Sequence, residues 1–239
     1  MNFITSVGYE CDELRDKAEL LAKQLDFTLD KDASSCLYLT SSKLTLKISG
    51  FSLLSADFTA LTWNKRRSEG KKQGLIRACK PAPGVKIFDA TAGWGRDAAI
   101  LASFGAQVVM LERNPLMASL LSDAIGHQDE SDKHKLNVSL HAGDARSYLI
   151  SLADTEYPDV VYIDPMHPQR SKSALVKKDM QVLQQMIGTD EDALDLLTIA
   201  ISHVKQRVVV KWPQKTKPLL VPDSSIEGKT VRFDVYFKK

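Results

Sequence analysis

The sequence has few of the residues that build disulfide frameworks, metal sites and membrane spans. Among its 239 residues are three cysteines, Cys11, Cys36 and Cys79, without a C-x-x-C pair. Such a set argues against a zinc site or a disulfide framework and fits a reducing cytoplasm. The histidines lack metal-ligand spacing, no apolar run approaches the ~20 residues that cross a bilayer, and the start of the chain lacks secretory-signal features. We therefore expect a soluble cytoplasmic protein with no metal and no membrane segment.

Charge is unevenly distributed along the chain. The overall composition, 44% hydrophobic and 26% charged, is that of an ordinary folded protein. The formal net charge is only +2, but residues 43–80 hold nine Lys or Arg against Asp57 and Glu69. A local basic patch on a nearly neutral protein is typical of contact with a phosphate backbone, although a solvated helix face would look the same.

The pattern of apolar residues divides the chain in two. Residues 1–80 show a helical pattern at 12–25 and a hairpin at 37–48, which predicts a small α+β lobe. Lys80-Pro81-Ala82-Pro83-Gly84 would break any regular element. From 81 to 239 strand-like and helix-like segments alternate, with strands expected at 85–88, 107–111, 136–140, 159–163, 207–211 and 230–237. Helices are expected at 97–104, 115–125, 145–152, 174–187 and 190–203, the second with Pro115 at its start, and a polar loop at 129–135. This alternation predicts a mostly parallel, doubly wound sheet.

The turn after the first of these strands is the clearest cofactor signal. Asp89-Ala90-Thr91-Ala92-Gly93-Trp94-Gly95 leads from a strand to a predicted helix at 97–104. Ligands in such sheets bind at the carboxyl ends of the strands. Gly93 and Gly95 lack a Cβ, so a cofactor can lie against the backbone, while Asp89 can receive the amino group of a methionine moiety.

Two further strand ends carry groups suited to a nucleoside. Glu112 ends the second strand, 23 residues after Asp89, where an acid accepts hydrogen bonds from ribose hydroxyls. Arg113 follows it and could border the adenine. Gly143-Asp144 follows the third strand, and Asp144 can either accept from the adenine amine or cap the next helix. Glu112 fits a dinucleotide equally well and cannot alone distinguish methyl transfer from hydride transfer.

The motif Asp164-Pro165-Met166-His167-Pro168 indicates the type of reaction. The exocyclic nitrogen of a base is a poor nucleophile because its lone pair is delocalised into the ring. The carboxylate of Asp164 and the carbonyl of Pro165 can hold its N–H groups and stabilise the developing positive charge. His167 can stack on the base. We expect the loop that holds this motif and the first turn to meet at one edge of the sheet. Together they suggest methyl transfer from S-adenosylmethionine to a nucleobase.

Basic residues beyond this motif suggest contact with nucleic acid. The predicted phosphate contacts are Lys65, Arg66, Arg67, Lys71 and Lys72 before the sheet, and Arg170, Lys172, Lys177 and Lys178 after the fourth strand. Lys211, at the end of the following strand, is a further candidate, although a solvated lysine is as good an interpretation.

The motifs resemble the ribosomal RNA small subunit methyltransferase J family. The resemblance rests on Asp89-Ala90-Thr91-Ala92-Gly93-Trp94-Gly95-Arg96-Asp97-Ala98, on Met110-Leu111-Glu112-Arg113-Asn114-Pro115, on Asp164-Pro165-Met166-His167-Pro168 and on Lys172-Ser173-Ala174-Leu175-Val176-Lys177-Lys178. It implies a class I methyltransferase fold and methylation of the exocyclic N2 of one guanosine in 16S rRNA. It also implies S-adenosylmethionine contacts at Arg96, Asp97, Glu112, Arg113, Gly143, Asp144 and Asp164.

We therefore predict an S-adenosylmethionine-dependent rRNA guanine-N2 methyltransferase, monomeric, with 16S rRNA or the small ribosomal subunit as its partner. The same pocket could instead serve adenine N6 or a protein glutamine, because the motif does not distinguish amines well. A non-catalytic RNA-binding protein of the same fold is a third hypothesis. A dehydrogenase is disfavoured because Ala98 stands three residues after Gly95, where G-x-G-x-x-G requires glycine.

Overall fold

The chain folds around two β-sheets. Its structure, a computed structural model, describes residues 4–128, 136–166 and 192–239. The larger sheet has seven strands in the order β10-β11-β9-β8-β5-β6-β7. These strands are β5 (Lys86–Asp89), β6 (Gln107–Glu112), β7 (Val138–Ala142), β8 (Val160–Ile163), β9 (Arg207–Pro213), β10 (Ser224–Glu227) and β11 (Val231–Phe237). β11 runs antiparallel to both its neighbours, whereas β5 to β9 form parallel pairs. The predicted mostly parallel sheet is confirmed.

Helices cover both faces of this sheet because consecutive strand residues point to opposite sides. Ile87 and Tyr162 face one apolar cluster and Phe88 and Val161 the other. The first cluster contains α4 (Arg96–Ser103) and α5 (Pro115–Gly126), and the second contains α6 (Ala145–Ser151) and α7 (Ala193–Ser202). As predicted, Pro115 opens α5, which Asn114 caps by accepting from the N–H groups of Leu116 and Met117.

The smaller sheet lies in the first 50 residues and has the order β2-β1-β3-β4. Its elements are β1 (Ser6–Tyr9), α1 (Arg15–Leu25), β2 (Thr28–Leu29), β3 (Cys36–Leu39) and β4 (Leu44–Lys47). The antiparallel β3–β4 hairpin confirms the prediction for that segment. Val7, Leu37 and Leu46 share one apolar cluster with residues of the larger sheet, so the two sheets bury a common core.

Two helices that follow the smaller sheet and precede the larger one in the chain show no clear apolar periodicity in the sequence. In α2 (Ala60–Glu69) only Trp63 is buried, and α3 (Gly74–Cys79) is a short, mostly buried helix. They pack on α4 and on β11, respectively, and therefore on the face of the larger sheet. The division of the chain at residue 80 remains a prediction.

Some sequence-based elements lie outside the described residues, namely the loop predicted at 129–135 and the helix predicted at 174–187. The helix predicted at 190–203 begins in that undescribed part, and its described portion is α7. β1, β2 and β10 were not expected, because Ser6–Tyr9, Thr28–Leu29 and Ser224–Glu227 are short and lack a clear apolar alternation. None of the described helices is long and apolar enough to cross a membrane.

Gly95 is required by packing. Its φ is +70°, and a Cβ would lie 2.7 Å from Cζ of Phe58 and 3.0 Å from Cδ2 of Leu121. Gly84 has a similar φ of +83° but nothing within 4 Å of the added Cβ. Gly84→Ala should therefore cost about 1–2 kcal/mol of unfolding free energy from backbone strain alone. Gly95→Ala should cost roughly 1–3 kcal/mol more, from overpacking. Urea unfolding measures both values, and equal losses would contradict the packing role.

Candidate active site

A cavity of about 630 Å³ opens at the carboxyl ends of β5, β6 and β8. The strand order reverses between β5 and β8, which is where open α/β sheets bind ligands, and the volume suits a small-molecule site. Gly93 and Asp164 both line this cavity. The prediction that the two loops meet at one edge of the sheet is therefore confirmed. The other predicted site residues that line it are Asp89, Arg96, Asp97, Glu112, Arg113, Gly143, Asp144 and Pro165.

Asp89 forms the floor of the cavity. Its side chain is almost completely buried, and Oδ1 accepts a hydrogen bond of 3.2 Å from the N–H of Thr91. Burial raises the pKa of Asp89 to about 8, and the nearby charge of Asp97 adds to the effect. Asp89 is thus an acid poised to take up a positive charge that enters the cavity.

Thr91 joins the two loops. Its Oγ1 accepts a hydrogen bond of 2.7 Å from the N–H of Asp164. The backbone of the β8 loop is therefore tied to the β5 turn, which positions Asp164 and Pro165 beside Gly93. Thr91 does not stand out in the sequence, because a threonine in a glycine-containing turn carries no chemical signal of its own.

Glu112 is buried and held in one orientation. Oε2 accepts from the N–H of Gly93 at 3.0 Å, and Oε1 accepts from the N–H of Asn114 at 2.8 Å. Two backbone amides thus aim the carboxylate at the cavity that it lines. The position agrees with the predicted ribose contact.

A cluster of ion pairs lies at the end of the cavity where β6 and β7 finish. Arg113 and Arg146 both contact Oδ2 of Asp192, at 2.7 and 3.2 Å. Arg146 also contacts Asp144, which caps α6 by accepting from the N–H of Ser147 at 3.0 Å. Burial tends to raise the pKa of Asp144, but the hydrogen bonds from Arg146 and Ser147 outweigh it and lower the pKa. The capping interpretation of Asp144 is confirmed, and the adenine contact remains a prediction.

Asp97 occupies the opposite end and has three partners. Oδ1 pairs with Nη2 of Arg66 at 2.8 Å, while Oδ2 accepts from the hydroxyl of Tyr162 at 2.7 Å and from Nζ of Lys211 at 3.2 Å. Burial would raise the pKa of Asp97, but the charges of Lys211 and Arg66 and the hydrogen bond from Tyr162 outweigh it and lower the pKa. The carboxylate of Asp97 is therefore ionised.

Three predicted residues differ from their expected place. Gly95 is not among the residues lining the cavity and contacts Phe58 instead. Arg66, expected on the nucleic-acid surface, lines the cavity and pairs with Asp97. Lys211 is partly buried rather than fully solvated, because its ammonium contacts two carboxylates. These contacts depend on packing between distant segments, which no local pattern shows.

Several predicted residues lie on the surface or outside the described residues. Lys65, Arg67 and Lys72 are exposed on α2 and the turn after it. The side chain of Lys71 lies outside the described part of the chain. So do the remaining sites, which are His167, Arg170, Lys172, Lys177 and Lys178.

The fold and the site define a class of protein, and known proteins agree with it. A seven-stranded sheet with one antiparallel strand and a cofactor-sized cavity at its switch point is that of an S-adenosylmethionine-dependent methyltransferase. The family model described as "Putative SAM-dependent methyltransferase" matches residues 20–238. A solved SAM-dependent methyltransferase from Neisseria gonorrhoeae has a TM-score of 0.75 and 29% identity, covering 98% of this chain and 96% of that one.

Curated relatives narrow the class. The chain is 66% identical over 236 residues to Ribosomal RNA small subunit methyltransferase J of Legionella pneumophila (strain Paris), covering 99% of this chain and 97% of the relative. It is 40% identical over 253 residues to the protein of that name from Coxiella burnetii (strain Dugway 5J108-111), covering 100% and 99%. The chain belongs to the ribosomal RNA small subunit methyltransferase J family, and its cofactor is S-adenosylmethionine.

The residues around the cavity fit this cofactor. A cationic sulfonium and ammonium suit a cavity whose floor is the buried acid Asp89. A ribose diol suits Glu112, whose carboxylate two backbone amides orient. Within the described residues, no group of three or more His, Cys, Asp or Glu could hold a metal ion.

Asp89 should make stability depend on pH. Its raised pKa means that the folded protein keeps a proton between about pH 4 and 8 that the unfolded chain has lost. The wild type should therefore lose stability as the pH rises through this window. In Asp89→Asn the group no longer titrates, so its unfolding free energy relative to wild type should rise by up to about 1.4 kcal/mol per pH unit, then level off.

Urea unfolding at a series of pH values from 5 to 9 measures this difference. Asp32→Asn removes an exposed carboxylate and serves as the control. A difference between Asp89→Asn and wild type that stayed constant across the series would contradict the raised pKa.

Proposed function

We propose that the protein transfers a methyl group from S-adenosylmethionine to the exocyclic N2 of a guanosine in 16S rRNA. The observation that carries this proposal is the meeting of Asp164-Pro165 with Gly93 and Glu112 in one cavity. In this proposal, the groups that accept hydrogen bonds from the target amine lie beside the groups that hold the nucleoside of the cofactor. Relatives named for the small-subunit rRNA support the choice of substrate.

The first task of the site is to orient the cofactor, which when bound supplies an electrophilic methyl group on its sulfonium. Glu112 accepts hydrogen bonds from the ribose hydroxyls. The N–H groups of Gly93 and Asn114 hold its carboxylate in the orientation for this contact. Asp89 accepts a hydrogen bond from the ammonium group, and its carboxyl releases a proton to solvent and becomes negatively charged as the cation enters. Arg113 and Asp144 border the far end of the cavity.

The second task is to hold the amine. The carboxylate of Asp164 and the carbonyl of Pro165 accept hydrogen bonds from its two N–H groups, which turns the nitrogen lone pair toward the methyl group. As the N–C bond forms, the bond between the methyl carbon and sulfur would break and its electron pair would stay on sulfur, giving S-adenosylhomocysteine. Positive charge grows meanwhile on the nitrogen, and the carboxylate of Asp164 stabilises it. The nitrogen then releases one proton to solvent water and recovers its neutral form. No covalent enzyme intermediate is required.

The target base must leave its stack to reach this cavity. α2 borders the cavity, since Arg66 reaches Asp97, while Lys65 and Arg67 on the same helix are exposed. We assign these two residues, with Lys72, to the phosphates that flank the target. Salt-dependent binding is the expected consequence.

Asp164→Ala should abolish methyl transfer while S-adenosylhomocysteine still binds, because most cofactor contacts lie on β5 and β6. The assay uses labelled cofactor and small subunits or 16S rRNA from cells that lack the protein. Nuclease digestion then identifies the methylated nucleoside. Asp195→Ala, an exposed acid on α7 that does not line the cavity, is the control.

Three outcomes would refute parts of this proposal. Normal turnover by Asp164→Ala would remove Asp164 from catalysis. Label on N6-methyladenosine, or on a ribosomal protein, would replace the guanine acceptor. Absence of label from the RNA treated with the wild-type protein would refute the substrate.

The exposed lysines and arginine should govern RNA affinity. The variant Lys65→Ala/Arg67→Ala/Lys72→Ala should raise the KM for rRNA and leave kcat at saturating RNA unchanged. The slope of log KM against log salt should become shallower by up to about three units. Lys17→Ala/Lys23→Ala removes two exposed charges from α1 and is the control. An unchanged KM and slope in the triple variant would contradict this surface.

A further inference from the structure

Lys211 lies between two carboxylates at one end of the cavity. Its Nζ is 2.6 Å from Oδ2 of Asp164 and 3.2 Å from Oδ2 of Asp97. Burial would lower the pKa of Lys211, but the charges of Asp97 and Asp164 outweigh it and raise the pKa, so the side chain is an ammonium. Its contact with Asp164 is the shorter of the two.

The sheet register explains why these residues meet. β8 and β9 are parallel neighbours, in which Tyr162 pairs with Val209 and Ile163 with Val210. Asp164 and Lys211 are the next positions along each strand and come to lie side by side. Tyr162 and Val209 belong to the apolar cluster beneath α4, the helix that carries Asp97. Residues two places on share that face.

We infer that Lys211 is a positioning residue, which holds the carboxylate of Asp164 in the orientation that receives the target amine. This inference rests on the function proposed above and adds a residue to the same site. Thr91 fixes the backbone of Asp164 through its N–H. Lys211 constrains the torsions of the Asp164 side chain through its contact with Oδ2.

The surroundings of Asp97 indicate which carboxylate would move without Lys211. Arg66 and Tyr162 hold Asp97, whose side chain is 17% exposed, whereas the side chain of Asp164 is 34% exposed. Two carboxylates without the ammonium between them would repel each other. The less buried one, Asp164, would turn toward solvent and away from the amine.

A phosphate-binding role for Lys211 fits the geometry less well. The ammonium is partly buried and engages two carboxylates at once, so contact with RNA would require these ion pairs to break. Leaving buried carboxylates without their partner is costly. Lys215, in the turn after β9, is an exposed lysine of the kind that a phosphate would meet.

The test compares Asp97→Asn with Asp97→Asn/Lys211→Met, because the double variant loses one charge of each sign and keeps the cluster neutral. Because residue 97 is neutral in both variants, the comparison excludes repulsion between the two carboxylates and tests the contact between Nζ and Oδ2 of Asp164 alone. In the double variant kcat should fall about 100-fold below that of Asp97→Asn, the size of effect that a misplaced group produces. The KM for rRNA and the Kd for S-adenosylhomocysteine should match those of Asp97→Asn. Lys215→Met should behave as wild type.

If the double variant does not fold, Lys211→Arg tests whether Lys211 positions the carboxylate of Asp164. It keeps the charge, but a longer and planar group cannot occupy the position of Nζ without moving the carboxylate. We expect kcat to fall about 10-fold with the Kd for S-adenosylhomocysteine unchanged. The inference would be overturned if kcat of the double variant equalled that of Asp97→Asn, or if kcat of Lys211→Arg equalled that of the wild type. A change confined to the KM for rRNA would also overturn it.

The readout keeps this inference distinguishable from the proposed function. Label transferred to total RNA reports turnover whichever base accepts the methyl group, and digestion reports the base separately. A wild-type product other than N2-methylguanosine would refute the proposal that guanine N2 is the methyl acceptor. The comparison of kcat between the variants would still test the role of Lys211.

Discussion

Charge pairing at one partly buried corner of the cavity determines the geometry of the site. Arg66, Asp97, Lys211 and Asp164 come from α2, α4, β9 and the end of β8, and they alternate in sign. Burying a single charge is costly, whereas neighbouring opposite charges with hydrogen bonds offset that cost. Each side chain is therefore constrained by the others. Asp164, which we propose to hold the target amine, is the last member of this series. Its carboxylate is more exposed than that of Asp97.

The sheet brings these groups together because parallel strands end at a common edge. β5 and β8 are neighbours, so the turn after one and the loop after the other cannot avoid each other. The hydrogen bond from the N–H of Asp164 to Thr91 joins them. The residues that we propose for the nucleoside, after β5 and β6, thus lie beside those that we propose for the amine, after β8. Methyl transfer needs this adjacency, since the two reacting groups must be held in line.

The two ends of the cavity differ in how their acids are satisfied. Asp97 has two cationic partners and a tyrosine hydroxyl, and its pKa is lowered. Asp89 is buried with a backbone N–H as its partner, and its pKa is raised to about 8. The first acid is part of the scaffold. Asp89 suits a position where a cationic ligand balances the charge of the carboxylate. Groups with a shifted pKa are often found in this way in binding clefts.

Local periodicity and spacing are enough to predict the alternation of strands and helices, the glycine turn after β5 and the acids at the strand ends. Asp89, Glu112 and Asp164 were found in this way. The sequence did not reveal α2, whose single buried residue is Trp63, or the roles of Arg66, Thr91 and Lys211. The roles of these three residues are visible only in the folded chain, because each role is a contact between residues distant along the sequence. Lys211 and Asp97 lie 114 residues apart, and a lysine at a strand end looks the same in the sequence whether it meets solvent or two carboxylates.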